Sequence, residues 1–255
     1  MSTFATYPSL KDRVVFVTGG GSGIGASIVE HFCAQGSKVG FVDIAETASR
    51  KLVDDTEAKG YRAPAFKMCD LRDITALRRV IGEFAQEFGT ITVLVNNAAN
   101  DDRHPIDEVT EAYWEDCMQT NLRHQFFAAQ EVYKGMKAAG GGAIINLGSI
   151  SWHLSQGGMP AYVTAKAAIE GLTSGLARDF GPHEIRVNCV IPGWIMTQRQ
   201  IDLWLTPEAE KELMKRQCLK QKLYPPDIAR MVLWLAAADS ARCTARFFYV
   251  DGGCV

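Results

Sequence analysis

The chain has 255 residues, 47% of them apolar, and a formal net charge of −2. That length and apolar share permit one large core, while the near-neutral charge gives no pointer to nucleic acid or to an anionic membrane surface, and no apolar run approaches the roughly 18 residues that a membrane-spanning helix needs. The opening stretch MSTFATYPSLKDR lacks the apolar centre of a signal peptide, and the seven cysteines are scattered without a CxxC pair, so a cytoplasmic protein with reduced, mostly buried thiols and no metal site is expected.

In chain order, RVVFVTG (13–19) reads as a β-branched strand ending in glycine, and IGASIVEHFCAQG (24–36) as a helix stopped by Gly36. KVGFVD (38–43), PAFKMC (64–69), ITVLVNN (91–97), GAIINLGS (142–149), IRVNCVIPG (185–193) and ARFFYVDGG (245–253) read as further strands, with helical stretches such as ITALRRVIGEFAQEFG (74–89) between them. Continuous apolar strands alternating with helices imply a parallel sheet covered on both faces. With right-handed crossovers this gives an α/β fold, a single Rossmann-like doubly wound sheet, as one domain over 1–255. The segment 194–226 breaks the alternation, carries a helix near Pro207–Gln217, and reads as a lid over a substrate site.

The first strand-to-helix turn is TGGGSGIG (18–25). Gly19, Gly23 and Gly25 let backbone amides approach a pyrophosphate at a helix N-terminus. Asp43 ends the second strand eighteen residues after Gly25, where a dinucleotide fold places the carboxylate that binds the adenosine ribose. A carboxylate there repels a 2′-phosphate and no arginine directly follows it, so NAD is favoured over NADP. An ordinary strand-end turn is the other reading of Asp43. Asp70 follows the third strand and reaches the adenine edge by the same geometry, while Asp73 suits the N-cap of the next helix.

The motif AYVTAK (161–166) sets Tyr162 four residues before Lys166, on one face of a helix that Pro160 opens. A phenol has a pKa near 10, too high for a base at neutral pH. A neighbouring ammonium, helped by a nicotinamide cation, is expected to lower it. Ser149 lies thirteen residues before Tyr162 at a strand's carboxyl end, placed to orient a substrate oxygen.

With these motifs the chain resembles the short-chain dehydrogenase/reductases. The resemblance runs from VTGGGSGIG through NNAA (96–99), TNL (120–122), GSIS (148–151), YVTAK, IPG (191–193) and the terminal DGG. It implies an enzyme with Tyr162 as acid/base, Lys166 on the nicotinamide ribose, Ser149 on the reacting oxygen, and Asn121 anchoring a water of the proton relay. It further implies cofactor contacts at Ser22, Ile24, Leu71, Asn97, Pro192, Gly193, Ile195 and Thr197, and a homotetramer paired through the helix that carries Ala165, Ala168, Gly171 and Gly175. Two positions depart from the family pattern: Ala99 and Ala245 stand where glycine is usual.

The variable segments NAANDDRH (97–104), LGSISWH (147–153) and QCLK (217–220) resemble bacterial aldose 1-dehydrogenases, the D-xylose 1-dehydrogenases in particular. That narrower resemblance implies a small sugar substrate, D-xylose first and L-arabinose or D-galactose next, oxidised at C1 to its lactone. A sugar needs clustered polar groups beside flat apolar surface. Asn100, Ser151 and His153 are expected to supply the first, Trp152 and Trp194 the second. Asp101, Asp102 and Arg103 read either as a salt-bridged solvated loop or as a polar rim; Trp114, Trp204 and Trp234 read as packing residues. Another alcohol or ketone (a polyol, a 3-oxoacyl thioester) and a nucleotide-sensing protein without activity are the other functional readings.

Overall fold

The computed structural model describes residues 4–255; the first three residues of the N-terminal stretch, and of the expected 1–255 domain, lie outside the described residues. The main elements run β1 (Val14–Thr18), α1 (Gly23–Ala34), β2 (Lys38–Asp43), α2 (Glu46–Ala58), β3 (Ala65–Met68), α3 (Ile74–Phe88), β4 (Val93–Asn96), α4 (Glu111–Met118), α5 (His124–Ala138), β5 (Gly142–Leu147), α6 (Pro160–Phe180), β6 (Ile185–Pro192), α7 (Gln198–Leu203), α8 (Pro207–Arg216), α9 (Pro225–Ala236) and β7 (Phe247–Val250). The strands form one parallel sheet in the order β3-β2-β1-β4-β5-β6-β7.

The strand sequences explain why both faces are covered. Successive side chains alternate between faces, so Val15 and Val17 of β1 join α1 and α9 in one core, while Phe16 joins α3, α5 and α6 in the other. In α3, Leu77, Val80, Ile81 and Phe84 fall on one helical face and are buried there. Asp73 caps that helix, accepting from the Ala76 amide at 3.0 Å, as the sequence indicates.

Strand order reverses between β1 and β4, which opens a crevice at the carboxyl ends of the strands. The glycine turn, Asn97 and the β5–α6 loop all meet there. The 194–226 segment holds two helices, α7 and α8, and a parallel bridge from Ile195 to Leu223 ties its two ends together. Among the described residues, no helix is long and apolar enough to cross a membrane.

Of the tryptophans read as packing residues, only Trp234 behaves so. It meets Phe248 edge-on with centroids 5.6 Å apart. Trp114 is 37% exposed, and Trp204 lines the crevice.

The two departures from glycine differ in consequence. Ala99 has no positive φ, so its methyl group is accommodated without backbone strain. Ala245 sits at φ +56°, the left-handed region, held there by a bond from its amide to the Val187 carbonyl at 2.8 Å. An alanine in that region costs about 1 kcal/mol relative to glycine. Ala245→Gly is therefore expected to raise stability by about 0.5–1 kcal/mol, after the greater unfolded-state freedom of glycine is allowed for. Urea unfolding of the two proteins checks this, and a lower midpoint for the variant contradicts it.

Candidate active site

The crevice is a cleft of about 1180 Å³ with the glycine turn at one end and the 194–216 segment over the other. The turn is shaped by exclusion of side chains. A Cβ at Gly25 would lie 1.8 Å from the Gly19 carbonyl oxygen and 2.7 Å from Asn97 Nδ2. Gly19 and Gly23 have φ of +66° and +53°. Asn97 donates from Nδ2 to the Thr18 and Gly19 carbonyls at 3.2 and 2.8 Å, fixing the end of β4 to the turn. Ser22 occupies the N-cap of α1 without a side-chain capping bond, which leaves that helix end available to an anion. A backbone cradle of this form, beside an uncapped helix N-terminus, fits a dinucleotide pyrophosphate.

Asp43 is held rigidly at the same end. Its carboxylate oxygens accept from the Gly21 and Ala45 amides at 2.8 and 2.9 Å, and each retains a lone pair for a sugar hydroxyl. Asp70 and Leu71 also line the cleft. Asp70 is already paired: Arg72 grips both oxygens, at 3.0 and 2.7 Å, and reaches Asp116 at 2.6 Å. The bonds from Arg72 pull the Asp70 carboxyl below its ordinary range.

At the centre of the cleft, α6 begins with Pro160 at its first turn. Tyr162 and Lys166 follow on one face. Lys166 is 2% exposed, its Nζ donates to the Leu147 carbonyl of β5 at 2.8 Å, and it lies 5.6 Å from the centre of the Tyr162 ring. Burial lowers the ammonium pKa to about 8. Ser149 follows β5; its Oγ accepts from the Ser151 amide at 3.2 Å, and its hydroxyl acts on the Tyr162 phenol, drawing the pKa down.

In the chain by itself, without a nicotinamide cation, the Tyr162 phenol shifts upward. Burial and, next, the Asp101 carboxylate push the phenol above its ordinary value, and the Ser149 hydroxyl opposes them. The chain alone therefore favours the protonated phenol, because desolvation of a phenolate outweighs what its neighbours return.

Asn121 lies where the α4–α5 helix passes through a π-helical turn, Gln119–Arg123. It donates to the Cys117 carbonyl at 3.0 Å and accepts from the Asn100 amide at 2.8 Å. A π turn displaces one step of the helical ladder and is frequent at functional sites.

The remaining expected residues divide. Asn100, Ser151, Pro192, Gly193, Trp194, Ile195 and Thr197 line the cleft. Gly193 is required there, since a Cβ would lie 2.7 Å from the Asp251 Cα. Trp152 and His153 do not line it: both turn to Glu170 of α6, at 2.8 and 2.9 Å. Their expected place on the substrate wall is corrected accordingly.

Residues not singled out for the site take that place. Gln200 accepts from Trp194 Nε1 at 2.8 Å and donates to Asp101 at 2.7 Å. Arg199 bonds Asp101 and Asn100, each at 3.2 Å, and also Asp102. The Arg103 guanidinium lies 4.0 Å from the Trp204 ring centre. The DDR loop is thus both of the alternatives read from sequence, salt-bridged and a rim of the cleft. Nothing in local spacing shows that it meets a segment 97 residues away.

Comparison with known proteins agrees with this geometry. Residues 19–255 match the family model described as enoyl-(acyl carrier protein) reductase. The chain belongs to the short-chain dehydrogenase/reductase family. It is an oxidoreductase of that family. It is 48% identical over 250 residues to a D-xylose 1-dehydrogenase of Caulobacter vibrioides, covering 98% of each chain. It is 47% identical to the Rhizobium meliloti protein named "Probable galactose dehydrogenase GalD", covering 97% of this chain and 96% of the relative. Among solved structures it resembles a blue fluorescent protein from a metagenomic library in complex with NADPH, with TM-score 0.88 and 35% identity over 97% of this chain and 99% of the other.

The buried ammonium has a consequence for stability. Because the Lys166 pKa falls from 10.5 to about 8 on folding, the folded chain holds fewer protons here than the unfolded chain between those values. Its contribution to stability therefore rises with pH in that window and is least favourable below it. Lys166→Met is expected to lose activity yet to be about 1–3 kcal/mol more stable than the parent at neutral pH, with the gain shrinking toward pH 10. Urea unfolding at the two pH values measures this; a variant less stable at neutral pH contradicts it.

Proposed function

We propose that the protein oxidises an aldose at C1 to its lactone with NAD. The observation that carries this reading is the arrangement of Ser149, Tyr162 and Lys166 on the floor of one cleft. Asp43 and an open glycine turn stand at one end, and polar and indole side chains at the other. The D-xylose and galactose dehydrogenase names of relatives at 48% and 47% identity support the sugar class.

In this reading the Ser149 hydroxyl and the Tyr162 phenol oxygen hold the C1 hydroxyl oxygen. Tyr162 takes its proton as the C1 carbonyl forms. Lys166 stabilises the ionised phenol from beneath and donates to the nicotinamide ribose, and Asn121 carries the relay toward solvent through a water. Asn100, Ser151 and Trp194 contact the sugar. Gly19, Ser22, Gly23, Ile24, Gly25, Asp43, Asp70, Leu71, Asn97, Pro192, Gly193, Ile195 and Thr197 hold the cofactor. Bound NAD supplies the acceptor for the hydride that leaves C1. The lining favours a sugar over an acyl chain, because Asn100, Asp101, Arg199 and Gln200 crowd the mouth with polar groups where a chain would need an apolar groove.

The chain is read as one catalytic domain of a cytoplasmic homotetramer, with residues 194–226 as the lid. The helix α6 supports assembly: a Cβ added at Gly171 or Gly175 meets nothing within 4 Å, so that face has room for a neighbour's helix.

Four measurements test this reading. NAD reduction should proceed with D-xylose, L-arabinose or D-galactose and not with the matching alditols. Tyr162→Phe should lower turnover about 10²–10⁴-fold or more. Turnover of alditols but not of free aldoses would move the assignment to another alcohol class. Asp43→Ala should weaken NAD and improve NADP; a parent enzyme that binds both equally refutes the carboxylate argument. Light scattering should return four times the chain's mass, and a single-chain mass at micromolar concentration rejects the tetramer.

A further inference from the structure

Tyr162, Lys166 and Glu170 follow one another at four-residue steps along α6, so they lie near one face of the helix. The first two serve the reaction. Glu170 lies one turn further along α6, outside the cleft wall, and its side chain is only 12% exposed.

Its Oε1 accepts from Trp152 Nε1 at 2.8 Å and lies 2.9 Å from His153 Nε2. The Trp152 and His153 rings pack with centroids 3.7 Å apart. The Tyr249 hydroxyl of β7 meets the same histidine nitrogen at 3.1 Å. A carboxylate so far out of water is tolerated only with partners of this kind. The partners begin three residues after Ser149.

The loop from Gly148 to Met159 is tied at its start to β6, where the Gly148 and Ile150 amides donate to the Val190 and Pro192 carbonyls at 2.8 and 3.2 Å, and its middle is shaped by short turns, such as Leu154 N to Ile150 O at 3.0 Å and Gln156 N to Ser151 O at 3.0 Å. It includes Gly157 and Gly158, where an added Cβ meets nothing within 4 Å. Ile150 also packs in one apolar cluster with Ile169 of α6. Glu170 adds the polar tie, which fixes the direction and spacing of the Trp152–His153 stretch against that helix.

We propose that Glu170 is a positioning residue, which anchors the Ser149 loop through Trp152 and His153 to the same helix that carries Tyr162 and Lys166. The anchor keeps the Ser149 hydroxyl against the Tyr162 phenol. The inference rests on the acid–base reading of Tyr162 and Ser149 and on no particular substrate. It explains why an indole and an imidazole next to the reactive serine turn away from the substrate.

The test uses the full chain as Glu170→Gln, Glu170→Ala and Trp152→Phe, with whichever sugar or alcohol the parent oxidises. A displacement of about 1 Å at a reacting group costs up to about 100-fold. Glu170→Ala is accordingly expected to lower kcat about 10–100-fold while the NAD dissociation constant stays within about twofold. Glu170→Gln keeps an acceptor for the Trp152 N–H and should recover most of the loss. Trp152→Phe, which leaves the carboxylate in place, should lie between. Hydrogen exchange over 149–157 should quicken in Glu170→Ala and Trp152→Phe and stay unchanged at the glycine turn.

The proposal is overturned if kcat is unaffected, if NAD affinity falls in step with kcat, or if the glutamine variant is no better than alanine. Should Glu170→Ala not fold, Trp152→Phe decides by the same readings. A parent inactive on every aldose removes the sugar assignment alone; exchange at the loop then decides the anchor, and unchanged exchange overturns it.

Discussion

A lysine ammonium sits 2% exposed beneath a tyrosine ring, with the Leu147 carbonyl of β5 as its hydrogen-bond acceptor. A charge in that position is unfavourable on its own, as its lowered pKa of about 8 records. The surrounding chain has to fix it. Lys166 can reach Leu147 only because α6 packs against the sheet beside β5 and β6. Tyr162 can stand over Lys166 only because both lie on one helix. The same strand end that supplies the carbonyl leads two residues later to Ser149. The Ser149–Tyr162–Lys166 cluster is thus assembled from one strand end and one helix, two rigid kinds of support in the fold.

The two ends of the cleft communicate with this centre by different means. At the glycine-turn end the backbone is shaped by glycines that exclude side chains, and Asn97 Nδ2 pins β4 to the turn. At the other end side chains join the loops. Asn121 accepts from the Asn100 amide, and the next residues, Asp101 and Asp102, bind Arg199 and Gln200 of α7. Asp101 also acts at a distance, as the second cause after burial of the raised Tyr162 pKa.

What could be read from sequence was what depends on neighbours in the chain. The β-branched runs gave the strands, the glycine turn between strand and helix gave the cradle, Asp73 gave its cap, and the four-residue step from Tyr162 to Lys166 needed only helical geometry. The corrections concern side chains whose partners lie far away in sequence. Trp152 and His153 follow Ser149 but turn to Glu170, seventeen residues beyond His153. Trp204 was read as packing because an isolated tryptophan usually is, and only the chain's path brings Arg103 over it. The π turn at Asn121 has no marker in residue type. The upward Tyr162 shift of the chain by itself is not legible in the motif, which shows the neighbouring ammonium but neither the burial nor the Asp101 carboxylate.

The central claim is that the chain itself holds Tyr162 as a neutral phenol, and that the charge needed to ionise it is completed only in the loaded site. The direct measurement is a spectroscopic titration of tyrosinate, taken as the difference between the parent and Tyr162→Phe, with and without NAD. The account predicts no Tyr162 ionisation up to the ordinary phenol range in the free protein, and a clear shift to lower pH with NAD bound. Ionisation of Tyr162 near neutral pH in the free protein would contradict it.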